Sequence, residues 1–265
     1  MPSSSKENCV LCDIDHGIAH ITLNRLDADN GITLELAREL MEVSLRCESS
    51  RVRAVLLTGA GNAFSVGGDL KAFVAQGENL PAYIRQTTSY FHLAISRLAR
   101  LDAPVIAAVN GAAAGGGFSL ACACDIVLAA DTATFVMAYT RIGFAPDGGS
   151  SYFLPRLVGF RRAMELALTN RRLSAAEARD YGIVTEVVAA TELPARAIEL
   201  AAFLAEGPTK AFGSTKRLLH SGWNESLETQ MELESLAVSS SSGEAEGREG
   251  VAAFLQKRAP KFQGR

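Results

Sequence analysis

Three short segments, RAVLLTG (53–59), PVIAAVNG (104–111) and DIVLAA (125–130), are almost continuously apolar, without the polar–apolar alternation of a half-exposed strand. A strand of this kind is buried on both faces, the condition found in parallel sheets covered by helices. The intervening stretches change period. Leu36, Ala37, Leu40, Met41, Ser44 and Leu45 fall on one helical stripe, and a second helical stretch covers about 81–100. Strand–helix–strand order with such strands requires right-handed crossovers and predicts an α/β fold.

Around this centre, VLCDID (10–15) and IAHITLNR (18–25) flank a turn and predict an N-terminal hairpin. Residues 115–124 suit a helix and ATFVMA (133–138) a short strand, and Ser174 with Glu177 fits a capping box that opens a helix before Gly182. After GIVTEVV (182–188) the strands stop. Helices are expected over 195–206, 209–220, 225–238 and 244–257, with the serine run Ser239–Ser242 as a break before the last. The chain therefore reads as an α/β core over 1–195 and a helical C-terminal region over 196–265. In that region Leu227, Met231, Leu233 and Leu236 have little core of their own, which predicts packing on a neighbouring subunit.

Charge excludes some partners. With 26 Lys and Arg against 29 Asp and Glu, there is no basic field to attract nucleic acid. The N-terminal MPSSSKENC has neither an apolar core nor an Arg-rich amphipathic pattern, and no apolar run approaches a membrane span. A cytoplasmic protein that binds no membrane is expected. Five cysteines, an odd number, fit a reducing compartment. Cys9 and Cys12 have redox-motif spacing but no second pair, and are expected to be structural; no metal is expected.

Two glycine-bearing motifs follow buried strands: FSVGGDL (64–70) and NGAAAGGGFS (110–119). Glycines that open a helix weaken it, so they point to close backbone approach. Gly111 to Gly116 has the spacing of a phosphate loop, but Gly117 and Phe118 stand where Lys and Ser or Thr are needed. What remains is a pair of backbone N–H groups, near Gly68 and Gly116, able to receive one developing oxyanion. A further acid, Asp147, lies in PDGGSSYFLP (146–155). Pro-Asp-Gly is a common turn, so locally Asp147 reads first as a turn residue, with a site carboxylate as the alternative.

Together with LNR (23–25), CDIVLAA, LPRLVG, LSAAEARDYGIVTEVV and REGVAAFLQKRAPKF, these motifs resemble the crotonase (enoyl-CoA hydratase/isomerase) family, in family order and over nearly the whole chain. The resemblance implies a spiral of ββα turns with a C-terminal helical trimerisation region, assembled as a homotrimer or dimer of trimers. It implies an acyl-CoA thioester as ligand, with coenzyme A part of the substrate rather than a permanently bound cofactor. By the family motif, Gly68 and Gly116 form the oxyanion hole, Ala63, Phe64, Ser65, Val66, Asp69 and Leu70 line the CoA groove, and Gly115, Tyr139, Phe144 and His92 border the substrate. Residues 71–92 are expected over the acyl pocket, and Lys257 or Arg258 could meet CoA phosphates.

Family hydratases use two glutamates, one to activate water and one to deliver a proton. Their positions hold Ser119 and Tyr139 in this chain, which argues against an ordinary hydratase. Asp147 lies where one set of enoyl-CoA isomerases carries a single acid/base. The surrounding sequence is similar to the phenylacetate-pathway ring-epoxide isomerases and the Δ3,Δ2-enoyl-CoA isomerases. An apolar surround of Phe144, Tyr139 and Phe153 would strengthen a lone carboxylate as a base. The expected activity is a 1,3 proton shift with Asp147 as acid/base. The 4-chlorobenzoyl-CoA dehalogenases, with Asp147 as nucleophile and His92 assisting, are the main rival. A hydratase without the usual glutamates, a serine hydrolase built on Ser119, His92 and Asp147, and a non-catalytic acyl-CoA binder are the others.

Overall fold

The computed structural model describes residues 8–264. Its strands are β1 (Val10–Asp15), β2 (Ile18–Leu23), β3 (Ala54–Gly59), β4 (Ala63–Ser65), β5 (Val105–Val109), β6 (Ala112–Ala114), β7 (Ile126–Ala130), β8 (Thr134–Val136), β9 (Leu173–Ser174) and β10 (Glu186–Val188). They form two sheets, ordered β1-β2-β3-β5-β7-β10 and β4-β6-β8-β9. In the larger sheet only β1 and β2 are antiparallel, joined through His16 and Gly17, both at positive φ as a tight hairpin turn requires. The remaining pairs, β2 with β3, β3 with β5, β5 with β7 and β7 with β10, are parallel.

Each turn of the spiral places a long strand in the large sheet and a three-residue strand in the small one, then continues through helical structure. Thus β3 and β4 precede α1's partner layer, α2 (Leu70–Val74) and α3 (Leu80–Arg100), where α1 is Leu34–Ser49. Next, β5 and β6 lead into α4 (Gly116–Cys122), and β7 and β8 lead towards α5 (Ser150–Val158) and α6 (Phe160–Thr169). Between the layers, Leu23, Leu57, Ile106 and Leu128 of the large sheet and Phe64, Phe118 and Phe135 are fully buried. The chain then passes through α7 (Ala175–Asp180), opened by the expected Ser174–Glu177 capping box.

Of the C-terminal helices, α8 (Leu193–Ala205) belongs to the core layer. It packs on β3, β5 and β7 through buried Leu193, Ala197 and Ala201. Beyond it lie α9 (Thr209–Ser221), α10 (Leu227–Gly243) and α11 (Ala245–Leu255). The expected serine break does not occur at 239–242. There α10 continues, and Ser241 and Ser242 turn their hydroxyls back onto the carbonyls of Ala237 and Ser239 at 2.8 and 2.7 Å. The break falls at extended Glu244 instead. No residue of α10 is buried, and Leu227, Met231, Leu236 and Val238 are exposed. No helix among the described residues is long and apolar enough to cross a membrane.

Candidate active site

The small sheet brings the two glycine motifs together. β4 and β6 are neighbouring parallel strands, with Ala63 opposite Ala112, so the loops that leave them run side by side. Gly67 shows how closely. At φ +84°, a Cβ there would lie 2.7 Å from Ala114 O and 3.1 Å from Gly116 N. No other residue type tolerates both that angle and that approach. Ile32 clamps the loop on either side of Gly68: its N–H donates to Gly67 O at 2.7 Å, and its carbonyl accepts from Asp69 N at 3.0 Å. The N–H of Gly68 is left with no acceptor among the described residues, and so is that of Gly116 at the start of α4. First-turn N–H groups of a helix have no partner within it.

Both glycines border a cavity of about 290 Å³. Its walls are Ile32, Phe73, Phe91 and Phe144, with Phe73 and Phe144 stacked at 6.3 Å between ring centroids. Tyr139, Asp147, Thr87, Thr88 and Arg141 supply polar side chains to the same lining.

Asp147 proves to be a turn residue and a cavity carboxylate at once. Gly148 (φ +61°) and Gly149 (φ +75°) reverse the chain into α5, while Asp147 O accepts from the N–H and hydroxyl of Ser150 at 3.1 and 2.9 Å. A Cβ on Gly148 would lie 2.8 Å from that of Ser119, so glycine lets the turn press onto α4. The carboxylate accepts a 2.5 Å hydrogen bond at Oδ1 from Tyr139 Oη, which is 2.8 Å from the hydroxyl of fully buried Ser119. Burial first, then the charge and hydrogen bond of Asp147, push the Tyr139 phenol well above its ordinary value. Tyr139 is therefore a neutral donor, and Ser119 can donate in turn to Tyr139.

The remaining expected site residues divide. Val66, Leu70, Gly115, Tyr139 and Phe144 line the cavity, as do Phe73, Ile84 and Phe91 from the expected acyl-pocket region. Ala63, Phe64 and Ser65 are buried in β4, where Ser65 Oγ donates to Asn30 O at 2.8 Å. Asp69 is not in the cavity wall. It caps α2 through Ala72 N and pairs with Arg25 at 2.9 Å. Burial pushes its carboxyl up, but those two partners outweigh it and leave it below the ordinary range.

His92 is also outside this cavity. Its Nε2 accepts from Gly148 N at 3.0 Å, fixing the turn, and it lines a second, adjoining cavity. Ser119 contacts Tyr139 and Gly115 rather than His92, so the serine-hydrolase triad is not assembled. Arg258 is held by both oxygens of Glu249, at 2.6 and 2.9 Å. Cys12 hydrogen-bonds the thiol of Cys47, and burial raises both, Cys47 to about 12, which makes them poor nucleophiles. Ile32 and Ile142 border the cavity without a sequence signal, since nothing local to either marks it.

Two acceptor-free backbone donors and one carboxylate, bordering an apolar chamber of an α/β spiral, define a class of protein equipped to hold charge on a carbonyl oxygen while a proton moves nearby. The chain belongs to the enoyl-CoA hydratase/isomerase family, whose model matches residues 13–265, and its fold is the crotonase fold. It is 40% identical over 253 residues to a probable enoyl-CoA hydratase of Rhodobacter capsulatus, covering 96% of this chain and 97% of that protein. It is 39% identical to the 1,2-epoxyphenylacetyl-CoA isomerase of Escherichia coli, covering 97% and 98%. Identity to 4-chlorobenzoyl coenzyme A dehalogenase-2 of an Arthrobacter species is 38%, covering 96% and 93%. Such similar values for three chemistries leave the reaction to be argued from the site.

Proposed function

We propose that the protein is an enoyl-CoA isomerase that moves a double bond by a 1,3 proton shift. The observation that carries this reading is the solitary carboxylate. Asp147 is the one carboxylate in the lining of the cavity that the acceptor-free N–H groups of Gly68 and Gly116 border, while both hydratase glutamate positions hold hydroxyls, Ser119 and Tyr139. With a 3-enoyl-CoA, Asp147 takes a proton from C2, and the C–H electron pair delocalises into a dienolate ending on the thioester oxygen. The two N–H groups hold that oxygen. Asp147 then delivers a proton to C4, and the double bond settles between C2 and C3. A single base suffices, whereas hydration needs a second group for water.

The proposal extends to a cytoplasmic homotrimer or dimer of trimers, supported by the exposed apolar side chains of α10 and α11, and to coenzyme A as part of the substrate with no permanently bound cofactor. The dehalogenase reading has support from the proximity of His92 to the Asp147 turn. Against it, His92 opens on the other cavity and its Nε2 is already an acceptor for Gly148.

The deciding experiment offers 3-enoyl-CoA, 2-enoyl-CoA and 4-chlorobenzoyl-CoA and follows migration, hydration and halide release. Migration is expected, falling by about 10²–10⁴ in Asp147→Asn, the contribution typical of a positioned acid/base. Full-rate migration in Asp147→Asn removes the assignment. Halide release without migration makes Asp147 a nucleophile.

A further inference from the structure

Asp147 faces two cavities. One is the apolar chamber. The other, about 790 Å³, lies between the C-terminal half of α3, the start of α5 and the end of α9. Asp147 is the one described residue common to both linings. Beside it the chain is tightly packed, since a Cβ on Gly148 would lie 3.0 Å from the Phe91 ring and 2.8 Å from Ser119 Cβ. A proton needs no open passage.

The two sides also differ in chemistry. Facing the chamber, Asp147 meets the Tyr139 hydroxyl among largely aromatic and aliphatic walls, with Thr87, Thr88 and Arg141 elsewhere in the lining. Facing the second cavity it has His92, Ser151, His220 and Asn224 around it. A water site needs roughly 10–15 Å³ and two to four polar partners. The second cavity exceeds the first requirement many times over, and these side chains meet the second.

We infer that Asp147 exchanges its proton with solvent through this second cavity during turnover, an inference that rests on the isomerase reading. After Asp147 has taken the C2 proton, the bound dienolate covers its chamber side. The carboxyl group passes that proton to water on the other side and takes up one from solvent. It delivers this second proton to C4 as the dienolate collapses. The proton lost from C2 leaves to bulk, and no other species is consumed. A carboxyl group open only to the chamber would return the same proton to C4.

The test is isomerisation of unlabelled 3-enoyl-CoA in D₂O, with product sampled before the reverse reaction contributes and analysed by mass and by position. Most of the product is expected to gain one mass unit, with deuterium at C4. Blocking the second cavity should restore direct transfer. Ser151→Trp and Asn224→Trp, both at exposed positions, should lower deuterium at C4 severalfold with migration at the wild-type rate. Wild-type product with protium at C4 overturns the inference while leaving the isomerase reading intact. Deuterium undiminished in both variants overturns the route, since exchange would then occur from the substrate side. Absence of migration in the wild type is a different failure, that of the isomerase reading itself.

Discussion

Tyr139 has one hydroxyl proton and three oxygen neighbours, Asp147 Oδ1 at 2.5 Å, Ser119 Oγ at 2.8 Å and, more distant, Asp147 O at 3.4 Å. A carboxylate only accepts, so Tyr139 must donate to Asp147, and Ser119 can then donate to Tyr139. Oδ1 is thereby tied, and in the proposed proton shift Oδ2 is the oxygen left to carry the moving proton. Tyr139→Phe keeps the ring and removes only this constraint. A hydrogen bond to a charged group contributes about 1.5–3 kcal/mol, so kcat should fall roughly 10- to 100-fold. KM should change little, because the cavity wall keeps its shape. Steady-state kinetics decide this: an equal loss confined to KM would mean that Tyr139 acts on substrate binding and not on the carboxylate. Ser119→Ala should show the same split with a smaller loss.

At the scale of elements, α9 is tied to the strand entries by two ion pairs. Arg217 pairs with Asp102 ahead of β5, and the more covered Lys216 with Asp125 ahead of β7. Lys216 Nζ lies 2.7 Å from Asp125 Oδ2 at the entry to β7, with both side chains mostly covered, and Asp125 also accepts from Val105 N at 2.7 Å. Burial raises the Asp125 carboxyl above its ordinary value despite Lys216. Lys216→Met would leave that carboxylate covered and without its cation, a change that costs about 3–5 kcal/mol when a buried pair loses one partner. Denaturant unfolding should show this loss at neutral pH. It should shrink as pH falls, because a raised carboxyl takes up its proton earlier in the folded state and then no longer needs Lys216. A loss independent of pH would put the effect in packing alone.

The same scale explains which parts were readable from sequence. β3, β5 and β7 declare themselves because parallel strands buried on both faces must be apolar throughout. β4 (AFS) and β6 (AAA) do not, since three residues carry no periodicity and their sheet exists only by pairing across the spiral. The glycines of both motifs were legible as close approaches, and Asp147 as an acid in a turn. That Ala63 to Ser65 lie buried beside β6 depends on that pairing. The chain from Ser119 through Tyr139 to Asp147 joins residues 20 and 8 positions apart and also required the fold.

At the scale of the molecule, the large sheet and the apolar chamber are complete within one chain, but its outer helices are not. Leu227, Met231, Leu236 and Val238 on α10, with Val251, Phe254 and Leu255 on α11, present their side chains outward, Phe254 with 83% of its surface exposed. Monomeric proteins rarely leave large contiguous apolar patches in water. A partner that buried such a patch would gain roughly 25 cal/mol for each Å² covered, and a copy of the same chain related by symmetry supplies one without any further protein. For the homotrimer or dimer of trimers proposed above, sedimentation analysis of the purified chain should give a mass three or six times 28.1 kDa. Leu236→Glu and Phe254→Glu place charges on that surface without touching the core. Each should move the distribution towards the monomer while leaving the circular dichroism of the folded chain in place. A wild-type chain that sediments at 28.1 kDa at micromolar concentration would show that these faces stay uncovered, and the trimer would have to be abandoned.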